Sequence, residues 1–195
     1  MNICSRILMA GAALLIIGVF FLPIWSIKLE APQFPEGLKM CIYVNKIGGS
    51  SENILQNVNI LNHYIGMKKI EPNSIPELKI IPVVLIGFLV LGLLAAVLGN
   101  RALMMTWIAL LILAGIIGIY DFYTWLYDYG HNLDPRAPIK VPGMAYQPPL
   151  FGSKWLLNFR SVSYPASGTI LLGISVLLAL GGILYDRVKR KKQNE

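Results

Sequence analysis

Between Ile80 and Gly99 the chain carries no charged side chain, and roughly 20 residues of α-helix are enough to cross a hydrocarbon core ~30 Å thick. Such a run restricts the fold more than any other feature. Inside a bilayer the backbone N–H and C=O groups must be satisfied without water, and a single segment achieves that only as a helix. Three other stretches read the same way: Ile7 to about Ile27, Ala102 to about Trp125, and Gly168 to Tyr185. Together they predict an all-α membrane protein with four transmembrane helices (about 7–27, 80–99, 102–125 and 168–185) in one integral domain over 1–195. A hydrophobic content of 55% and a mean hydropathy of +0.61 agree, since a soluble chain of this size could not bury so much apolar surface.

The ends of these runs suggest an orientation. Arg6 precedes the first run as it would in a secretory signal, but no small-x-small cleavage site follows, so the run is expected to stay as a span. Asn100-Arg101 leaves room only for a tight turn, which makes the second and third spans antiparallel neighbours. Arg187, Lys189, Arg190, Lys191 and Lys192 follow the last apolar run, and clustered basic residues mark cytoplasmic ends. Both termini are therefore expected in the cytoplasm of a bacterial cell, with the protein multi-pass in the inner membrane and two long loops, about 28–79 and 128–167, outside. The lysines of the first loop run against this rule, and its glutamates balance them in charge though they count little in orientation. The net charge of +7 reads as a topology anchor touching lipid headgroups rather than a nucleic-acid surface. Cys4 and Cys41 would lie on opposite sides of the membrane, unable to form an internal disulfide.

The first loop shows local order. Lys39 to Lys46 has the β-branched and aromatic content of a short strand closed by Gly48-Gly49. Ile54, Leu55, Val58, Leu61 and Ile65 recur at helical spacing after Ser50-Ser51, and Gly66 would end that helix. Ser74-Ile75-Pro76-Glu77 has capping-box spacing ahead of the second span. In the second loop, prolines at 135, 138, 142, 148 and 149 favour an extended or polyproline strap lying across the first loop.

The spans offer little chemistry. Asp121 is their main ionisable residue, and among tyrosines near a span end it reads as an interfacial carboxylate rather than a proton relay. The loops hold the only histidines, His63 and His131, with Met40, Cys41, Met67 and Met144. On a helix His63 and Met67 would share a face, and imidazole with thioether suits copper(I). Taken alone, H-x-x-x-M fits ordinary packing better: Met67 and Met144 as flexible apolar residues, the histidines hydrogen-bonded to backbone. His131 lies between Asp128 and Asp134-Pro135, which could orient its ring or merely form a turn. No haem-attachment C-x-x-C-H, P-loop, G-x-S-x-G or zinc-type histidine pair occurs, so a classical enzyme is not expected, and a bis-histidine haem is a minor alternative.

Leu61-Asn62-His63-Tyr64-Ile65-Gly66-Met67, Ala31 to Leu38 and Val141 to Pro149 together resemble small four-span bacterial membrane proteins. Their genes lie beside nitrous-oxide reductase and its copper-loading accessory genes. The resemblance implies a nonenzymatic accessory for extracytoplasmic copper handling or assembly of a copper reductase. His63, Met67, Met144 and His131 would then contact copper, and a copper reductase or copper chaperone outside the cytoplasm would be the partner. The other reading is a membrane scaffold or electron-transfer subunit that docks a membrane redox complex and binds no copper.

Overall fold

The computed structural model describes residues 1–139, 141, 143 and 145–193, and it is mixed α/β rather than all-α. Helix α1 (Ile3–Val19) leads into strands β1 (Trp25–Ala31), β2 (Phe34–Ile42) and β3 (Ile47–Gly49), then helix α2 (Ile54–Ile65). Two long helices follow, α3 (Glu77–Leu98) and α4 (Arg101–His131), then strands β4 (Gly152–Leu156) and β5 (Phe159–Pro165) and helix α5 (Ser167–Gln193). The five strands form one antiparallel sheet in the order β3-β2-β1-β5-β4.

Among the described residues three helices, not four, are long and apolar enough to cross a membrane: α3, α4 and α5. The first predicted span is overturned in a specific way. The helix ends at Val19 although the apolar run goes on, and the residues from Trp25 on are a strand. Pro23 disfavours helix at the residue before it. Beyond it the backbone finds other partners: the Ile24 N–H donates to the Ile42 carbonyl, and the Pro23 and Ile24 carbonyls accept from Gly168 and Ala166 at the start of α5. α1 keeps 17 residues. One of its faces, Ser5, Met9, Ala12, Ala13, Ile16 and Val19, is buried against α3 and α5.

The second loop is also corrected. Its prolines do keep helix out, but β4 and β5 form within it, and β5 pairs along the whole of β1 from Trp25 opposite Pro165 to Glu30 opposite Arg160. β1 is thus the central strand, with the sheet stitched from both loops. Its alternation is strict: Trp25, Ile27, Leu29 and Ala31 are buried, while Ser26, Lys28 and Glu30 point to the other face. The predicted strand around Lys39–Lys46 lies earlier, at Phe34–Ile42, and the Ser74-x-x-Glu77 capping box is absent. Ser74 Oγ instead donates back to the Glu71 carbonyl within a 3₁₀ turn at Pro72–Ser74, and Pro76 precedes α3.

The molecule has two packed regions. In the bundle, α1 lies against α3 and α5, with Trp107 of α4 donating to the Phe88 carbonyl at 2.7 Å and Ser175 Oγ donating to the Ala12 carbonyl at 2.6 Å. In the head, the buried face of the sheet meets α2 and the last turns of α4, which supply Leu126 and Tyr129. α4 has 31 residues, about 46 Å at 1.5 Å per residue, so it outreaches a ~30 Å hydrocarbon core and its last turns enter the head. The start of α1, the later turns of α5 and the α3–α4 turn lie at the opposite end of the bundle. There Arg6 donates to the Ala96 and Val97 carbonyls at the end of α3, and the Asn2 N–H donates to Asp186 on α5.

Candidate functional site

The head centres on the end of α2. Hydrophobic spacing buries Ile54, Val58, Asn62 and Ile65 and turns the opposite side outward. Gly66 stops the helix in a left-handed conformation, φ 81°. The Met67 N–H then donates to the Asn62 carbonyl at 2.9 Å and the Gly66 N–H to the His63 carbonyl, the pattern of a Schellman closure. A β-carbon at Gly66 would also come 2.9 Å from the Ala137 β-carbon and 3.0 Å from the Asp134 carbonyl oxygen. Only glycine gives both the backbone angle and the room.

The turn at Gly66 decides what His63 and Met67 can do. The spacing argument needs them on one continuous helix, and the helix ends between them. His63 is exposed and borders an open groove of about 860 Å³ on the outer side of α2, with Leu55, Gln56, Asn59, Ile60, Tyr64 and Lys69. Met67 is half-buried and lines a small apolar cavity of about 40 Å³ with Ile27, Leu29, Met40, Leu126 and Tyr129. The structure brings Met67 to the core and leaves His63 at the surface.

His131, the last residue of α4, is exposed. Its ring stacks on Tyr127 with centroids 3.9 Å apart, and Nδ1 lies 2.9 Å from the Tyr127 carbonyl oxygen. A proton on Nδ1 donated to that carbonyl leaves Nε2 with a free lone pair, the arrangement that suits an imidazole to a metal ion. Met144 falls outside the described residues, as does Pro142. Cys4 is exposed and Cys41 half-buried, and both are free thiols. Among the described residues no group of three or more His, Cys, Asp or Glu side chains is placed to hold a metal.

Short backbone bonds join the α2 end to the second loop. The Asp134 N–H donates to the Gly66 carbonyl at 2.8 Å, the Ile139 N–H to the Tyr64 carbonyl at 2.9 Å, and the Tyr146 N–H to the Gly130 carbonyl at 2.9 Å. Gly130 permits the last of these, because a β-carbon there would sit 2.4 Å from the Gln147 backbone nitrogen. The expected strap across the first loop is therefore present at residues 134–139. Several side chains that sequence reasoning passed over complete the seam. Asn59 brackets Ile70, donating to its carbonyl and accepting from its N–H, and buried Asn62 donates to the Lys68 carbonyl. Tyr129 Oη donates to the Lys69 carbonyl, and Lys68 Nζ pairs with Asp128 at 2.7 Å. A signal existed for Asn62 alone: an amide on the apolar face of an amphipathic helix must find a partner when buried.

No protein-family model matches the chain, and no curated protein matches it. The fold and the composition define a membrane protein with a bundle and a sheet-based head.

Proposed function

We propose that the protein is a nonenzymatic membrane accessory that handles copper, or assists assembly of a copper reductase, outside the cytoplasm. Both chain termini would then face the cytoplasm of a bacterial inner membrane, with the sheet head on the other side. The orientation draws support from Arg101 and the terminal cluster Arg187 to Lys192, which are at the bundle end away from the head. The observation that carries the functional reading is the seam. Residues from two of the stretches that resemble proteins of the nitrous-oxide reductase gene neighbourhood, 61–67 and 141–149, are bound to neighbouring parts of it, and His63 and His131 stay exposed on segments the seam ties together.

Copper is cargo in this reading, and a transfer site needs few ligands so that the ion can leave. His63 and His131 are the donors the fold leaves exposed, and Met144 joins them on the sequence resemblance alone. Met67, packed in the head core, serves the site by shaping the turn beside His63. Copper(I) affinity of the detergent-purified protein, measured by competition with a chromophoric chelator, tests the proposal. Wild type should bind copper, and His63→Ala with His131→Ala should weaken binding at least about tenfold, the scale of losing one good ligand contact. Equal affinity in the double variant, or no binding by wild type, would overturn it.

A second reading, a scaffold or electron-transfer subunit that docks redox partners without holding copper, draws on the open groove outside α2 and on the parting of His63 from Met67. An optical spectrum of the same sample separates its variants. A Soret band favours electron transfer, and a partner that co-purifies without metal or chromophore favours the scaffold.

A further inference from the structure

Helix α4 leaves the bundle in mid-membrane. Met104, Trp107, Ile108 and Leu111 are buried, and burial resumes only at Leu126 in the head. Over residues 112–121 only Ala114 is even partly covered. At 100° per residue this stretch samples every side of the helix, so the exposure is all round rather than one lipid-facing stripe. Ile117 and Ile119 stand 58% and 43% exposed on nearly opposite sides, and nothing lies within 4 Å of where a β-carbon of Gly115 or Gly118 would be. Helices associate in lipid through close packing and polar contacts. A helix bare on all sides over nearly three turns lacks both.

The surroundings of this gap are charged in a way that indicates what fills it. Asp121 stands at its head-side end. No lysine or arginine among the described residues is within ion-pair distance of Asp121. A carboxylate at the edge of the hydrocarbon without a cation beside it calls for one from elsewhere. The chain itself offers one. Lys79 is exposed on the outer side of α3 and also has no ion-pair partner among the described residues. It heads a continuous outward stripe of Val83, Ile86, Val90 and Val97, opposite the buried Leu85, Phe88, Gly92 and Ala95. Lys79 and Asp121 lie at equal sequence distances either side of Asn100, so in antiparallel helices they stand at the same height.

We infer that two copies of this chain pair in the membrane. The outer face of α3 of each packs into the gap beside α4 of the other, and each Lys79 meets the partner copy's Asp121. The pairing is isologous about an axis along the membrane normal, which makes both ion pairs equivalent and closes the assembly at two. It covers one side of the bare turns of α4 and neutralises the two lone charges at once. Nothing in it depends on copper.

The full chain in lipid nanodiscs, with particle mass read on single particles, provides the test. Wild type should hold two copies per particle. Asp121→Lys alone and Lys79→Asp alone should each weaken pairing about tenfold, the scale of one interhelical polar contact plus a new repulsion. The double variant, with the charges exchanged, should recover it, which ties the single losses to the pairing of the two charges. Should the double variant not recover, the milder Lys79→Gln must still weaken pairing if the inference holds. A cross-link between Val83→Cys on one tagged chain and Ile117→Cys on another, with Cys4 and Cys41 replaced by serine, should join chains of different tags. Single copies at working concentration, pairing indifferent to both charges, or a cross-link at Ile117 only to some other protein's helix would each overturn the inference.

Discussion

The bundle half of α4 and its head half are the same helix held by different forces. Near Trp107 it approaches α3 where Gly92 permits contact, and a β-carbon at Gly92 would lie 2.9 Å from the Trp107 indole nitrogen and 2.7 Å from the Ala13 β-carbon. Small residues and single polar contacts do the holding there, because lipid tails are as apolar as the side chains and reward no burial. Near Tyr129 the helix meets Trp25, Ile27, Leu29, Tyr146 and Phe159. Here water is the competitor, and large apolar side chains stabilise by about 25 cal/mol per Å² removed from it. The difference explains why one helix can be bare over 112–121 and fully packed two turns later.

That contrast can be broken from either side. The largest effect is expected at Gly130. Gly130→Val would drive a side chain into the Gln147 backbone and should destabilise the head by about 3 kcal/mol or more, leaving the bundle helical; limited proteolysis in nanodiscs should cut the head and spare the spans. Leu126→Ala, at 1% exposure, should cost about 2–5 kcal/mol of head stability. On the same helix Ile116→Ala should stay within about 0.5 kcal/mol, and denaturant titration followed by tryptophan emission compares the two. Equal costs at Leu126 and Ile116 would remove the distinction between the regions. In the bundle, Ser175→Ala loses the bond to the Ala12 carbonyl and should cost about 0.6 kcal/mol, the average for interhelical hydrogen bonds in membranes. Steric trapping of helix dissociation is the suitable measurement.

The smallest effect concerns the exposed face of the sheet. The hydrogen bond from Lys28, together with the charges of Lys28 and Arg160, holds the Glu30 carboxyl below the usual carboxylate range. A carboxyl with a lowered folded pKa stabilises fully above its unfolded value of about 4.3, and the contribution is lost as pH falls through the folded value. Head stability of Glu30→Gln should therefore depend less on pH than wild type below about pH 4.3 and differ little in slope near neutrality. A screened, exposed pair makes this a slight change.

How far the chain could be read varied with the kind of signal. α2 was legible because its apolar spacing and Gly66 agree, and the α3–α4 turn because Asn100 caps α4, accepting from Ala102 and Leu103. β1 was not, since Trp25-Ser26-Ile27 continues the apolar run of α1 and a strand buried on one face shows no period distinct from a span's end over so few residues. β4 and β5 were hidden by the prolines around them, which argue against helix but say nothing of a pairing partner far away in sequence. His63 and Met67 show the same limit at the candidate site. Spacing placed them on one face, and the helix end at Gly66, itself foreseen, separated them.

By itself the sequence determined that the chain lives in a membrane, that the runs over 80–99, 102–125 and 168–185 are helical, and which glycine ends α2; the run over 7–27, read as a fourth span, ends as a helix at Val19. Those properties are local: length, hydropathy and backbone strain act over a few turns. Only the tertiary structure decided that β1 joins the two loops in one sheet, that Met67 belongs to the core while His63 and His131 stay exposed, and that α4 stands bare between the bundle and the head. The sheet depends on a partner strand more than a hundred residues away, and the parting of His63 from Met67 on a helix end that shifts a side chain from one face to another; hydrogen-bond satisfaction across such distances is a property of the folded whole.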